Sequence, residues 1–90
     1  MATKTYEGWS NYETWAVKLW MDNEEGTYRY WRREARNATS ADRLADQLKD
    51  EHTDAAPEVE GVFGDLLTAA LSEVDWLEIA ESLIADNEDA

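Results

Sequence analysis

The sequence predicts an all-α fold: a compact single domain of about five short helices around a central helix that is rich in tryptophan. Apolar residues recur at intervals of three and four along most of the chain, which is the period of an amphipathic helix. Alternating apolar and polar runs, which would indicate strands, are missing, as are two-residue hairpin signals. A chain of 90 residues forms one domain with a modest core. We therefore expect one helical domain over residues 1–90, with residues 1–9 extended or frayed and residues 86–90 a frayed tail.

The first helix is expected over residues 11–22 and at the centre of the domain. Ser10 and Glu13 have the spacing of a capping box, in which each side chain bonds a backbone N–H at the helix start. One side of this helix carries Tyr12, Trp15, Ala16, Leu19 and Trp20. Val17 and Met21 lie on the opposite side. Because the helix is apolar on two sides, we expect both sides to be buried.

The second and third helices are each expected to bury one stripe. The second begins near Asn23 or Thr27, buries Tyr28, Trp31, Ala35 and Ala38, and carries beside them a ridge of four arginines, Arg29, Arg32, Arg33 and Arg36. Thr39 or Ser40 caps the third helix, which buries Ala41, Leu44, Ala45 and Leu48. His52 is expected at its end, in a capping or partly buried role, and begins a loop over residues 52–61 that contains the single proline.

The fourth helix is expected over residues 62–71 and the fifth from residue 75 onward. The fourth carries Val59, Phe63, Leu66, Leu67 and Ala70 on one side, and Gly64 indicates either a close approach to a neighbour or a late helix start. Asp75 caps the fifth helix, Glu78 closes a capping box, and Val74 staples onto Ile79. Its core face consists of Trp76, Leu77, Ala80, Leu83 and Ile84.

The charge is distributed unevenly along the chain. The formal net charge is -13, yet residues 1–49 hold eight acids and all eight bases and are neutral. Residues 50–90 hold thirteen acids with no lysine or arginine, so the whole excess lies in the C-terminal half. Such asymmetry bears on partners and solvent rather than on the fold.

The acidic half suggests a non-enzymatic interaction protein whose partner has a basic surface. Duplex DNA carries one charge per ~1.7 Å of axis, whereas a helix row with an acid in every turn carries one per ~5 Å, so several rows would imitate DNA together. The candidate partner-binding residues are Asp75, Glu78, Glu81, Asp86, Asp89, Glu58 and Glu60. The alternative is salt adaptation, because 21 acids stand against only three lysines. Composition favours salt adaptation, whereas the one-sided distribution of the acids favours an interaction protein.

The arginine ridge is a candidate basic patch with two interpretations. Arginine forks match phosphate oxygens, which would suit nucleic acid. The other interpretation is an intramolecular ion-pair surface, with Glu25 one turn before Arg29. Because so acidic a chain repels DNA, we do not expect direct nucleic-acid binding. Most of the aromatic residues are expected in the core, but Trp9 and Tyr30 fall on no predicted buried stripe and their roles stay open.

No catalytic, cofactor-binding or metal site is predicted. The chain has no cysteine and a single histidine, and it lacks the nucleophile-elbow, zinc-protease and phosphate-loop motifs. It also lacks a secretory leader and any apolar run long enough to span a bilayer, so we expect a cytoplasmic protein without membrane contact. The partner's identity and the oligomeric state are not encoded in any pattern that we identify.

Two blocks of the sequence resemble a family of short uncharacterised proteins found in phages, plasmids and their bacterial and archaeal hosts. The blocks are GWSNYETW at residues 8–15, continued by Leu19-Trp20 and Asp22-Asn23, and Val74-Asp75-Trp76 with Glu78-Ile79-Ala80. They cover about a third of the chain. The family has no assigned activity, so the resemblance implies no functional residue. Its association with mobile elements favours a host-defence antagonist, a class in which acidic DNA mimics are common; this is association rather than physics.

Overall fold

Five α-helices make up the domain in the computed structural model, which describes residues 6–88. They are α1 (Tyr12–Asn23), α2 (Glu25–Asn37), α3 (Ala41–Ala55), α4 (Gly61–Glu73) and α5 (Trp76–Glu88). The predicted all-α class is confirmed, with no strand in the described part of the chain. Helix α5 packs mainly against α3 and α2 and also contacts α1, while α1 contacts α2 and α4. None of the described helices is long and apolar enough to cross a membrane.

Two of the four predicted caps are confirmed, at α3 and α5, whereas α2 begins after Glu24, without a side-chain cap, rather than after Asn23. Ser40 Oγ accepts the N–H of Arg43 at 3.1 Å, and Asp75 Oδ1 accepts the N–H of Glu78 at 3.0 Å. Helix α1, however, is capped by Asn11 rather than Ser10, since Asn11 Oδ1 accepts the Thr14 N–H at 2.9 Å. The predicted capping box at Ser10 is therefore wrong by one residue.

Three helices are longer than their sequence patterns indicated, and the smallest change is in α4, which covers Gly61–Glu73 instead of residues 62–71. Helix α3 continues to Ala55, so His52 lies inside it and the connecting loop covers only residues 56–60. Helix α5 continues to Glu88, so the predicted frayed tail is wrong for residues 86–88, and residues 89–90 lie outside the described part. Polar composition predicts non-helical structure for the loop and the tail. Polar residues nevertheless continue a helix readily, because adding a residue to a helix whose earlier turns are already packed is easier than starting a new one.

Residues 6–9 form a tight turn instead of the expected extended segment. The N–H of Tyr6 donates to Trp9 O at 3.0 Å, and the N–H of Trp9 donates to Tyr6 O at 2.7 Å. Glu7 and Gly8 take positive φ values of 49° and 89° to close this turn. Glycine adopts that conformation without the steric cost that a Cβ brings. The turn places Trp9 against the core, which answers the open question about its role.

The core is drawn from every helix except α4. Its buried apolar residues are Met21, Trp31, Ala35, Leu44, Leu48, Val74, Trp76, Ile79, Ala80 and Leu83. These include the central residues of the stripes predicted for α2, α3 and α5. Helix α5 contributes four of them and α1 contributes one, Met21, so the core is organised mainly along α5.

Helix α1 buries a different side from the one its aromatic residues indicated. Thr14, Lys18 and Met21 are buried, whereas Tyr12 and Trp20 remain 54 % and 70 % exposed. The expectation of a helix buried on two apolar sides is therefore wrong. Polar residues can face the core here because each has a partner: the Lys18 ammonium extends to Asp22 at 2.8 Å over a buried alkyl stem.

A set of hydrogen bonds joins the start of α1 to the junction between α4 and α5. The Asn11 amide donates to Glu73 O at 2.7 Å, the Thr14 hydroxyl accepts the Asp75 N–H at 2.8 Å, and the Ser10 N–H donates to Glu78 Oε1 at 3.2 Å. We call these contacts the α1–α5 junction. It satisfies backbone groups at three helix ends that have no partner inside their own helices.

Helix α4 lies at the edge of the domain and contains no fully buried residue. The predicted close approach at Gly64 is confirmed, because a Cβ there would overlap the carbonyl of Val59. This contact holds the preceding loop against one side of α4. The opposite side, which the sequence assigned in part to the core, faces solvent: Val62, Phe63 and Leu66 are 64 %, 71 % and 60 % exposed.

Replacing Thr14 with valine should weaken the α1–α5 junction. The hydroxyl acceptor disappears while the side-chain size stays similar, so the partly buried Asp75 N–H loses its partner. Leaving such a group unpaired costs about 1–3 kcal/mol, which urea unfolding followed by circular dichroism will measure. Thr14→Ser keeps the hydroxyl and should lose less. Thr68→Val, the same change on exposed α4, should stay within about 0.5 kcal/mol of wild type. Equal stability of Thr14→Val and wild type would contradict this role.

Candidate interaction surface

Most of the predicted acidic surface is exposed in the structure. Of the candidate partner-binding residues, those at the surface are Glu58, Glu60, Asp75, Glu81 and Asp86. They lie on the loop before α4, at the α5 N-cap and along α5. Exposed Asp65 and Glu73 on α4 extend the set. The exposed acids of the C-terminal half therefore lie on two helices and the loop before α4 rather than in a single row.

Glu78 does not belong to that surface, contrary to the prediction. Only 8 % of the residue is exposed, and its Oε1 accepts the N–H of Ser10. The turn at residues 6–9 covers it, so Gly8 and Trp9 border the same groove as Glu78 and Glu81. Helical spacing alone could not show that a distant N-terminal segment packs there. Asp89, the other end of the predicted α5 row, lies outside the described residues.

Ion pairs within residues 6–88 do not neutralise the acidic half. The pairs in that range are Lys18–Asp22, Arg29–Glu25 and Arg33–Glu34, and all of them lie in the neutral N-terminal half. Arg29 and Arg33 thus pair with acids of their own segment. The exposed acids of residues 50–88 remain available to solvent cations or to a basic partner.

Three arginines of the ridge are exposed and Arg32 is partly buried, and the predicted ion pair between Arg29 and Glu25 is confirmed. Arg29 Nη2 lies 2.7 Å from Glu25 Oε1, one helical turn away, and both side chains are largely exposed. Exposed pairs of this kind contribute little to stability. Arg36 is exposed in the last turn of α2, where a cation is favourable beside the C-terminal end of the helix dipole.

The other two ridge arginines contact tyrosine rings. The Arg32 guanidinium lies 5.8 Å from the ring centroid of Tyr28 and donates to its hydroxyl at 3.3 Å. The Arg33 guanidinium lies 5.4 Å from the ring centroid of Tyr30. These distances fall within the cation–π range. Intramolecular partners therefore engage three of the four ridge residues.

Tyr30, whose role the sequence left open, joins α2 to α3. Its hydroxyl donates to both carboxylate oxygens of Glu51, at 2.8 and 2.9 Å. Gln47 reinforces this link by donating to Glu34 at 2.8 Å and to Glu51 at 2.9 Å. The hydrogen bond to Glu51 raises the pKa of Tyr30 above its ordinary value, and burial and the negative charges of Glu51 and Glu34 act in the same direction.

His52 occupies a structural position between two tryptophans. Its ring stacks on Trp31 at a centroid distance of 5.7 Å and lies 5.1 Å from Trp76. Its Nδ1 is 2.8 Å from Leu48 O, and because a carbonyl only accepts, Nδ1 carries the proton. The ring therefore packs within the helix bundle, and the expected position in the last turn of α3 with partial burial is confirmed. Within residues 6–88, no group of three or more histidine and acidic side chains is arranged to hold a metal ion.

The exposed apolar residues of α4 and α1 are the surface feature that sequence reasoning missed. Val62, Phe63 and Leu66 follow one another on one side of α4. A usable signal was present, because apolar residues in α4 cover more of its circumference than one neighbouring helix can bury. Trp20 of α1 was assigned to the core because its spacing fits a helix face. Spacing identifies a face without showing which way it turns.

The raised pKa of Tyr30 predicts a loss of stability at alkaline pH. The neutral phenol favours the fold fully below pH 10.0, the ordinary tyrosine value, and this contribution disappears as pH rises through the higher folded value. Absorbance titration should show one of the four tyrosines ionising after the others. Glu51→Gln should lower that pKa, and Tyr30→Phe should remove the late step and flatten the alkaline decline in urea stability. An unchanged titration curve in Tyr30→Phe would contradict this assignment.

Comparison with known proteins identifies a family without assigning an activity. No curated protein and no solved structure shows significant similarity to the chain. The model of a family of unknown function, DUF7249, matches residues 2–88. That match includes both sequence blocks and all five helices. The chain therefore belongs to the DUF7249 family of unknown function.

Proposed function

We propose that the chain is a non-enzymatic cytoplasmic interaction protein whose acidic C-terminal half binds a partner protein with a basic surface. In its most specific form, this is a DNA-mimic type of inhibitor or regulator of a nucleic-acid-binding protein. One observation carries the proposal: residues 50–90 hold thirteen acids and no lysine or arginine. The arrangement of those acids on the fold supports it.

Acids of the C-terminal half are exposed to solvent and are not used in ion pairs among residues 6–88. Glu58, Glu60 and Glu81 are exposed, and the ion pairs of residues 6–88 lie elsewhere. One-sided negative potential speeds encounter with a cationic surface and suppresses wrong partners. A surface spread over α4, α5 and the loop also supplies the several rows of charge that an imitation of duplex DNA requires.

Direct nucleic-acid binding through the arginine ridge has weaker support. Arg29 pairs with Glu25, while Arg32 and Arg33 pack on tyrosine rings. Releasing these contacts would cost part of any gain from phosphate contacts, and the net charge of -13 opposes approach to DNA. The resemblance of residues 8–15 to phage and plasmid proteins adds an associational argument for a defence antagonist, which would bind protein rather than DNA.

The proposal predicts competition with DNA for basic proteins. Nucleoid proteins eluted from duplex DNA-cellulose serve as the probe, and the full chain should displace at least one of them from labelled duplex. Neutralising exposed acids in Glu58→Gln/Glu60→Gln/Glu81→Gln removes three rim charges, each worth up to about 1 kcal/mol, so affinity should fall about tenfold at low salt. The difference should shrink at high salt.

A matched control separates position from net charge. Glu7→Gln/Asp42→Asn/Asp46→Asn changes the charge by the same amount at exposed sites in the neutral half, and it should leave the affinity nearly unchanged. Equal effects of the two triple variants would indicate a general charge effect. That result, salt-independent binding, or failure to displace any nucleoid protein from DNA would refute the proposal.

A salt-adapted domain of unknown function is the second candidate, favoured by the ratio of 21 acids to three lysines. A circular-dichroism salt titration discriminates the two. If the acids serve a partner, helix content should be complete in dilute buffer and change little up to molar potassium chloride. If they serve a salt-rich cytoplasm, self-repulsion should unfold the chain in dilute buffer, and molar salt should restore the helices.

A further inference from the structure

We propose that the outer face of α4 is the docking site for a basic amphipathic helix of the partner protein. This outer face consists of Val62, Phe63 and Leu66. The basic character of the partner rests on the proposed function. The inference adds an apolar anchor to a surface that was otherwise described only by its charge. Amphipathic helices with apolar anchors at spacings of three and four residues are a recurring ligand for such surfaces.

Leu71 on the inner side of α4 packs against the core, and this contact sets the rotation of the helix. At about 100° per residue, Gly64 lies on the same inner side, where it packs against the preceding loop. Val62 and Leu66 lie on the opposite side and therefore face outward, and Phe63 lies between the two sides.

The outer face is a contiguous exposed apolar patch rather than a set of scattered apolar residues. Val62, Phe63 and Leu66 are each at least 60 % exposed and adjoin one another on the helix surface. Contiguous exposed apolar patches rimmed by polar residues mark interaction sites, whereas scattered ones need no explanation. Helix α4, with its 13 residues, is ~20 Å long and matches a partner helix of three to four turns.

The acids near the outer face favour a positively charged partner helix. Glu58 and Glu60 precede α4, Asp65 lies beside Leu66 in sequence, and Glu73 ends the helix, all of them exposed. A partner helix with lysine or arginine on its flanks would place these cations against the acids while its apolar residues cover the face. An apolar centre with a charged rim is the usual anatomy of a protein interface.

A second copy of the chain fits this face poorly. In a twofold dimer the same patch lies on both sides of the contact, so each acidic rim would oppose its own copy. Residues 50–90 contain no lysine or arginine that could intervene. The charges therefore favour a different, cationic protein over self-association.

Synthetic peptides test the docking face directly. One probe is a Leu/Lys peptide of about 14 residues whose leucines form one helical face; the other is a permuted peptide of the same composition without an apolar face. We expect the amphipathic peptide to bind the full chain about tenfold more tightly, as measured by calorimetry. Amide shifts in wild-type protein should change on α4, which locates the contact even if a variant folds poorly.

Paired variants assign the binding to α4. Phe63→Gln/Leu66→Gln should abolish the difference between the two peptides while leaving the charge-driven binding of the permuted peptide unchanged. Trp20→Gln, a similar change at an exposed site on α1, should preserve the difference. Equal affinities for both peptides, shifts confined to other helices, or the same loss in Trp20→Gln would overturn the assignment. Self-association of wild type that Phe63→Gln/Leu66→Gln abolishes would also overturn it, in favour of a second copy.

The two proposals can fail separately. Neutralising Glu58, Glu60 and Glu81 tests whether the acids bind the partner, whereas the variant at Phe63 and Leu66 leaves every charge in place. If the two peptides bind wild type equally but neutralising the acids still weakens competition with DNA, the proposed function stands and the docking face is refuted. If competition with DNA depends on neither the three acids nor the two apolar residues of α4, both proposals are refuted.

Discussion

The fold depends on the α1–α5 junction, where short polar side chains close three helix ends at once. Asn11 uses its carbonyl to cap α1 and its amide to bind the end of α4, and Thr14 accepts from the first turn region of α5 through Asp75. Backbone groups at helix ends are costly to bury without partners, so these two side chains make the close approach of three helices possible. The two sequence blocks at residues 8–15 and 74–80 meet at this junction. The polar side chains of Asn11 and Thr14 in the first block are thus explained by their contacts in the fold.

The junction also determines which surfaces the domain presents. Once Thr14 faces α5, Lys18 and Met21 follow on the same side at four and seven residues, and Trp20 turns outward. The Asn11 amide binds Glu73 O and holds α4 at its C-terminal end, where Leu71 also packs against the core. The outer face of α4 has no covering element among residues 6–88.

Sequence periodicity predicted the helices and their order well and the direction of their faces less well. The buried stripes predicted around Leu44, Leu48 and Trp31 are confirmed, because the other faces of these helices are charged and only one face can be buried. In α1 the apolar residues occur on most sides, so the pattern does not choose between them, and a buried threonine with a partner 61 residues away decided the outcome. Glu78 was misplaced for the same reason, since its cover comes from a turn that no helical pattern describes. Long-range polar contacts of this kind have no local signature.

Charge and apolar exposure are complementary properties of the same half of the chain. An exposed face such as that of α4 would promote aggregation in a neutral protein, and an uncompensated acidic rim suppresses contact between identical copies. The same rim speeds encounter with a cationic partner but adds little affinity, because exposed ion pairs are weak. Burial of Phe63 and its neighbours would supply the affinity that charge cannot. Under the proposed function, the acidity of residues 50–90 would keep the apolar face of α4 free until a basic partner covers it.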